Sequence, residues 1–120
     1  MTPTLISFGY LHGAPPRADR VEDVRDRLRD PAAARDILDL DGHDPCVQQI
    51  VLGTPGARDL LDNLIDYVYT CYPATVAIGC AGGRHRAASL VELLAARLRA
   101  DGYSVDVQHR DVHRPRVLKT

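Results

Sequence analysis

The most constraining feature of this sequence is a short apolar segment that leads directly into a glycine-rich turn and then into a helix. Residues 75–80 read T-V-A-I-G-C, which is typical of a buried strand, and residues 81–86 read A-G-G-R-H-R. The apolar residues that follow recur at helical spacing, and they are Ala87, Leu90, Val91, Leu94, Ala95 and Leu98. A strand joined so tightly to a helix predicts an α/β domain built on a parallel sheet.

Further strands are predicted on both sides of this unit. Residues 4–8 are apolar, with β-branched and aromatic members, and residues 103–107 alternate between polar and apolar positions. Residues 21–25 fit a strand or a helix equally well. Because strands and helices alternate along the chain, we predict a small three-layer α/β/α domain with a mostly parallel sheet.

Two helices are predicted between the strands. Thr54 as the N-cap and Pro55 at the first position favour a helix over residues 55–69. A shorter helix is predicted over residues 45–53, because Asp44-Pro45 is a typical helix start and Gly53 a typical helix stop.

Composition narrows the class of protein further. With 120 residues, of which 45% are hydrophobic, the chain is expected to form one globular domain. Its apolar runs are far shorter than the ~20 residues that a membrane-spanning helix needs, and no secretory leader is recognisable. Three cysteines without zinc-site spacing indicate reduced thiols. We therefore expect a cytoplasmic protein without membrane contact.

The segment that carries chemistry is predicted at residues 79–86. Ligands of α/β sheets bind beyond the carboxyl ends of the strands, where this segment begins. The amides of Gly82 and Gly83, the positive end of the following helix and the fork of Arg86 all favour an anion, with phosphate as the best fit. The alternative is a glycine turn that only joins a strand to a helix.

Charge is unevenly distributed although the net charge is only −1. We divide the chain into a ligand-binding domain at residues 1–108 and a basic tail at residues 109–120. Against one acid, Asp111, the tail carries four basic residues, Arg110, Arg114, Arg116 and Lys119. A flexible basic arm of this kind is expected either to contact RNA phosphates or to act as a solubilising end.

The spacing of Cys80 and Arg86 resembles the phosphate loop of protein-tyrosine phosphatases, in which five residues separate these two types. In that chemistry a thiolate attacks phosphorus while the loop and the arginine hold the oxygens. Gly79 and Ala87 depart from the pattern, because those enzymes have His and Ser or Thr there. The acid that protonates the leaving group would have to be Asp39, Asp41 or Asp44.

A second resemblance covers more of the chain. Residues 7–13 (S-F-G-Y-L-H-G), 18–25 (A-D-R-V-E-D-V-R), 75–86 and 108–110 (Q-H-R) resemble, in this order, the C-terminal domain of the RNase adapter protein RapZ and its relatives. That family normally begins with a kinase-like nucleotide-binding domain that carries a P-loop. No G-x-x-x-x-G-K-S/T occurs here, so the expectation is a ligand-binding half that stands alone.

The resemblance implies a fold similar to a phosphofructokinase subdomain and a site for an amino-sugar phosphate such as glucosamine-6-phosphate. In some members it also implies RNA binding by an oligomer. By position, the sugar-phosphate site would be formed by Cys80, Ala81, Gly82, His85 and Arg86. Asp23 would face this site, and Arg84 stands in place of a family lysine. His12 either lines the site or lies on the surface.

The sequence departs from the family pattern at positions that, by the resemblance, would surround the sugar part of the ligand. Leu11 stands where the family has Lys, Leu38-Asp39 where it has Arg-Pro, and Pro73 where it has Tyr. We therefore expect phosphate binding to be better preserved than sugar specificity.

No metal or cofactor is predicted. The acidic turn at residues 39–44 has Ile50 where a calcium loop would need a bidentate Glu. His109 and His113 are spaced to share a metal but lack a third ligand in the sequence. The favoured hypothesis is a non-catalytic sensor of a phosphorylated metabolite or nucleotide. The alternatives are a cysteine-dependent phosphatase and an RNA-binding module, and self-association is a further expectation.

Overall fold

The computed structural model describes residues 2–26 and 40–115, and these form one α/β unit. The strands are β1 (Thr4–Gly9), β2 (Arg20–Asp23), β3 (Thr75–Cys80) and β4 (Asp106–His109). The helices are α1 (Pro45–Leu52), α2 (Ala57–Thr70) and α3 (Arg86–Ala100), and a 3-10 turn occupies Tyr10–His12.

All four strands are parallel, in the order β2-β3-β1-β4. Gly9 of β1 lies opposite Cys80 of β3, and Asp23 of β2 lies opposite Gly79 of β3. The carboxyl ends of β1, β2 and β3 therefore meet at one edge of the sheet, which is where ligands of such sheets bind. This arrangement confirms the predicted α/β class.

The core lies between the helices and one face of the sheet. Leu5, Val76 and Ile78 project from that face into a cluster to which α1, α2 and α3 contribute their apolar stripes. Burying each large apolar side chain contributes about 1.5–3 kcal/mol relative to leaving it exposed. The opposite face carries Phe8 among its buried residues, and the 3-10 turn and the loop after it pack there. Helices, sheet and this covering segment are consistent with the predicted three layers.

The helix α3 follows the apolar stripe from Ala87 to Leu98, and these side chains are buried. It is joined to β3 by residues 81–85, called here the β3–α3 loop. Within the described ranges, no helix is both long and apolar enough to cross a membrane.

The starts of the other two helices differ in how well the sequence predicts them. The carboxylate of Asp44 accepts the amide of Cys46 at 2.8 Å, so α1 is capped as predicted. By contrast, Thr54 is not the N-cap of α2, because its hydroxyl donates to the carbonyl of Val51 at 2.6 Å and closes the end of α1. The chain then turns through Gly56 at φ 87°, and α2 begins at Ala57.

The last strand begins three residues later than the pattern of residues 103–107 predicts. The amide of Tyr103 donates to the carbonyl of Leu98 at 3.1 Å, and Gly102 adopts φ 94°. These residues close the end of α3, so the chain becomes extended only at Asp106. The ambiguous residues 21–25 belong in part to a strand, β2.

Candidate functional site

Glycines allow the β3–α3 loop to lie directly against the end of β1. A Cβ atom on Gly9 would lie 2.4 Å from the carbonyl carbon of Gly82, and one on Gly83 would lie 2.6 Å from the amide nitrogen of Gly9. Gly83 also has φ 75°, which disfavours residues with a side chain. The amide of Leu11 donates to the carbonyl of Ala81 at 3.0 Å. The loop is therefore held at the carboxyl edge of the sheet.

The thiol of Cys80 lies inside this loop. It is 3% exposed, and the backbone amides of Gly83 and Ala87 donate to its Sγ at 3.2 and 3.5 Å. Two amides thus converge at the N-terminus of α3, where the helix dipole also favours negative charge. Converging amides at a helix N-terminus are typical of sites that bind anions.

Arg86 connects the loop to the end of β2. Its side chain is 5% exposed, and Nη1 donates to the carbonyls of Val24 at 3.2 Å and Arg25 at 2.7 Å. In this structure the guanidinium therefore ties the start of α3 to the segment that follows β2. Its predicted role as a fork for phosphate stays a prediction.

Asp23 lies at the same edge, and its predicted role of facing a bound ligand stays a prediction. Its carboxylate forms an ion pair with Arg25 at 2.7 Å. The hydrogen bond from the Arg25 side chain lowers the pKa of Asp23, against the opposing effect of burial, and the charge of Arg86 lowers it further. The guanidinium of Arg25 lies 3.8 Å from the ring centre of Tyr10. Two arginines and one ionised acid therefore border the loop on the β2 side.

Arg84 and His85 complete the loop on the side of α1. Arg84 Nε donates to the carbonyl of Leu40 at 3.2 Å, and the Arg84 carbonyl accepts the amide of Gly42 at 2.8 Å. His85 is 6% exposed and occupies the N-cap position of α3. The segment that begins at residue 40 is thereby fixed to the loop.

His12 ends the 3-10 turn that follows β1 and lies near enough to Asp111 to be among the groups that lower the pKa of that carboxyl. It therefore lies on the β4 side of the loop. Whether it contacts a ligand stays a prediction.

The first part of the tail is bound to the domain, which corrects the expectation of a flexible arm from residue 109. Asp111 is 0% exposed and accepts the amide of Gly9 at 2.8 Å. Arg110 and Arg114 each form an ion pair with this carboxylate at 2.9 Å. Both arginines are thus bound within the domain, where they share one carboxylate. Arg116 and Lys119 lie outside the described residues, and RNA contact and self-association stay predictions.

The acids proposed for a phosphatase have other partners where they are described. Asp44 caps α1, and Asp41 accepts the backbone amide and the ring Nδ1 of His43 at 2.8 and 3.0 Å. Burial acts to raise the pKa of Asp41, but these hydrogen bonds outweigh it and the pKa is lowered. Asp39 lies outside the described residues.

One cluster has no counterpart in the sequence patterns. His43, Glu92 and His109 bring potential metal-ligating atoms within 4.8 Å of one another. Burial lowers the pKa of His109, while the hydrogen bond to Glu92 acts in the opposite direction. The sequence spacing singled out His109 and His113 as a possible metal-binding pair. In the structure, His109 is instead grouped with His43 and Glu92, which lie on other parts of the chain. His113 instead stacks on the ring of His43, with 6.1 Å between centroids.

The fold and the site define a class, namely small parallel α/β domains with a glycine-rich loop between a strand and a helix at the carboxyl edge of the sheet. The sequence profile of the RapZ C-terminal domain matches residues 1–113. The chain therefore belongs to the RapZ C-terminal domain family, which confirms the resemblance carried by its motifs.

Relatives of known name are similar along most of this chain. A nucleotide-binding protein of Mycolicibacterium smegmatis is 44% identical over 121 residues, and one of Frankia alni is 42% identical over 120 residues. One of Anaeromyxobacter dehalogenans is 39% identical over 120 residues. Each alignment covers 92% of this chain but only 40 or 41% of the relative. The chain thus spans about two fifths of the length of these relatives.

Proposed function

We propose that this domain is a non-catalytic sensor that binds the phosphate group of a small metabolite or nucleotide at the β3–α3 loop. The observation that carries the proposal is the convergence of the Gly83 and Ala87 amides at the N-terminus of α3. A phosphate bound beside Cys80 would share these backbone donors with the sulfur and would lie in the favourable field of the helix dipole, without a dedicated catalytic group.

The charge around the loop supports the same proposal. Arg84, Arg86 and Arg25 come from two segments that meet at the carboxyl edge of the sheet, and Asp23 opposes them with one negative charge. The excess of positive charge matches a phosphate dianion. An ionised Asp23 at the edge of the site suits a hydroxyl or amino group on the organic part of the ligand, because a carboxylate accepts from both.

The names of the relatives agree with a phosphorylated ligand but do not fix its organic part. They are called nucleotide-binding proteins, and the names do not say which part of each protein binds the nucleotide. The family resemblance adds glucosamine-6-phosphate as a candidate. A titration should therefore compare inorganic phosphate, glucosamine-6-phosphate and nucleoside phosphates.

Replacing Arg84 by alanine is expected to weaken phosphate binding about 10- to 100-fold, because a charge-assisted hydrogen bond is worth roughly 1.5–3 kcal/mol. The backbone contact between Arg84 and Gly42 does not depend on the side chain and should remain. Isothermal titration calorimetry with each ligand measures the change.

Arg97→Ala is the matched control. It removes the same charge from the far end of α3, where Arg97 is exposed and pairs with Asp62 at 3.1 Å. The proposal requires Arg97→Ala to bind each ligand as the wild type does. Equal losses of affinity in the two variants would mean that binding depends only on the net charge. Unchanged affinity in Arg84→Ala would indicate that the loop only joins β3 to α3.

A cysteine-dependent phosphatase is the second candidate, because the two loop amides donate to the sulfur of Cys80. Against it, Asp41 and Asp44 are engaged elsewhere, as described above. We expect the wild type not to hydrolyse an aryl phosphate. Turnover that is abolished in Cys80→Ser and retained in Cys46→Ser would establish the enzyme instead, since Cys46 is exposed and outside the loop.

A further inference from the structure

Three side chains from separate parts of the chain converge beside α3. His43 precedes α1, Glu92 lies on α3, and His109 ends β4, yet their potential ligating atoms all lie within 4.8 Å of one another. Two imidazoles and one carboxylate are a common donor set for zinc. We propose that His43, Glu92 and His109 form a binding site for a divalent transition metal ion, with zinc as the best match.

The distances suit a single metal ion. The Nε2 atoms of His43 and His109 lie 3.4 and 3.1 Å from the same oxygen, Oε1 of Glu92. Ligands of a tetrahedral zinc ion with bonds of about 2.0–2.1 Å are separated by about 3.3 Å. The third separation, between the ligating nitrogens of the two imidazoles, lies within 4.8 Å, so the two side chains would move closer together to share one ion with Glu92.

The remaining ring nitrogens each have a polar partner that can accept a hydrogen bond, a carboxylate for His43 and a hydroxyl for His109. Nδ1 of His43 lies 3.0 Å from Oδ1 of Asp41, and Nδ1 of His109 lies 2.5 Å from Oγ of Ser7. When Nδ1 donates its proton to such a partner, Nε2 carries the lone pair that binds a metal. Partners of this kind orient metal-binding histidines and strengthen them as ligands. Both histidines thus present Nε2 towards Glu92.

The backbone also holds the site in place. A Cβ atom on Gly42 would lie 2.4 Å from the amide nitrogen of Ser89, so only glycine lets this segment approach α3 so closely. Ser89 lies one turn before Glu92 on α3, so this contact brings the neighbouring His43 close to Glu92. On the other side, pairing of Ser7 with His109 in the β1–β4 register fixes the second histidine.

The site is open on one side. The side chain of His43 is 45% exposed, that of Glu92 23% and that of His109 9%. Three protein ligands with one open side leave a fourth position for water or a small ligand, unlike the closed set of four in structural zinc sites.

The test is a zinc titration of the full chain that carries Cys46→Ser and Cys71→Ser, because both thiols are exposed and would bind zinc by themselves. Calorimetry should give one zinc ion per chain. Adding His43→Ala or Glu92→Gln should weaken binding at least about 100-fold, and Asp41→Asn about 10- to 100-fold. Asp62→Asn, which removes an exposed carboxylate elsewhere, should change nothing.

Cobalt provides a second readout that does not depend on affinity. The expected absorption is that of a tetrahedral cobalt ion with nitrogen and oxygen ligands, and it should disappear in His43→Ala. A strong sulfur-to-cobalt absorption would place the ion at Cys80 and overturn the proposal. The proposal would also be overturned if the chain with Cys46→Ser and Cys71→Ser bound no zinc. The same holds if adding His43→Ala to that chain left zinc binding unchanged.

Discussion

Replacing Asp111 by asparagine is expected to lower the free energy of unfolding by roughly 2–4 kcal/mol. The Asp111 carboxylate is fully buried, accepts the amide of Gly9 and pairs with Arg110 and Arg114. Removing its charge leaves both arginines without compensation and weakens the connection between β4 and the end of β1. Because the two arginines are partly exposed, the loss should fall below that of a wholly buried ion pair.

The effect of Asp111→Asn should depend on pH in a defined direction. Burial acts to raise the pKa of Asp111, but hydrogen bonds from Arg110 and Gly9 outweigh it, so the pKa in the folded protein is lowered. The carboxylate therefore stabilises the fold above its unfolded pKa of about 3.9, and this contribution is lost as the pH falls through the lower folded value.

Urea unfolding between neutral and acidic pH measures this dependence. The difference between wild type and Asp111→Asn should be full at pH 7 and should shrink below about pH 4. Asp106→Asn is the control, since Asp106 lies on the same strand with an exposed side chain. Equal urea midpoints for Asp111→Asn and wild type at pH 7 would contradict the structural role of this carboxylate.

Gly9→Val is expected to weaken phosphate binding at least about 100-fold and to destabilise the fold by roughly 1–3 kcal/mol. A Cβ atom at Gly9 would lie 2.4 Å from the carbonyl carbon of Gly82 and 2.8 Å from the amide nitrogen of Gly83. These contacts are with backbone atoms, so the β3–α3 loop must move away from β1. The Gly83 and Ala87 amides, which converge on Cys80 beside the proposed phosphate position, would then separate.

Calorimetry with the ligand that binds the wild type most tightly measures this loss, at a temperature where the variant is folded. Gly53→Ala provides the control, because Gly53 lies at the end of α1 and a Cβ atom there would come no closer than 3.3 Å to its neighbours. A folded Gly9→Val variant with wild-type affinity would show that the position of the loop does not matter for binding.

The parts of the fold that depend on local patterns could be predicted from the sequence. The strand at residues 75–80, the stripe on α3 and the cap at Asp44 each follow from neighbouring residues. The position of the β3–α3 loop also follows, because parallel sheets place such loops at the carboxyl edge. By contrast, Thr54 has two local options, as the cap of α2 or the end of α1, and the sequence pattern does not decide between them.

Contacts between distant segments were not predictable in the same way. Arg86 donates to carbonyls at the end of β2, more than sixty residues earlier in the chain. The contact of Asp111 with Gly9, and those of His109 with Glu92 and Ser7, depend on the pairing of β4 with β1. Composition and spacing reveal the basic tail and the pair of histidines. The order of the strands in the sheet determines which residues these side chains contact.

The most direct measurement of the central claim is a backbone amide NMR titration with inorganic phosphate and with glucosamine-6-phosphate. If the β3–α3 loop binds phosphate, the amides of Gly82, Gly83 and Ala87 should shift with both ligands and saturate with one affinity for each. Arg84→Ala should reduce these shifts at equal ligand concentration, whereas Arg97→Ala should leave them unchanged. Shifts that avoid the loop, or no saturable shift with either ligand, would contradict the account.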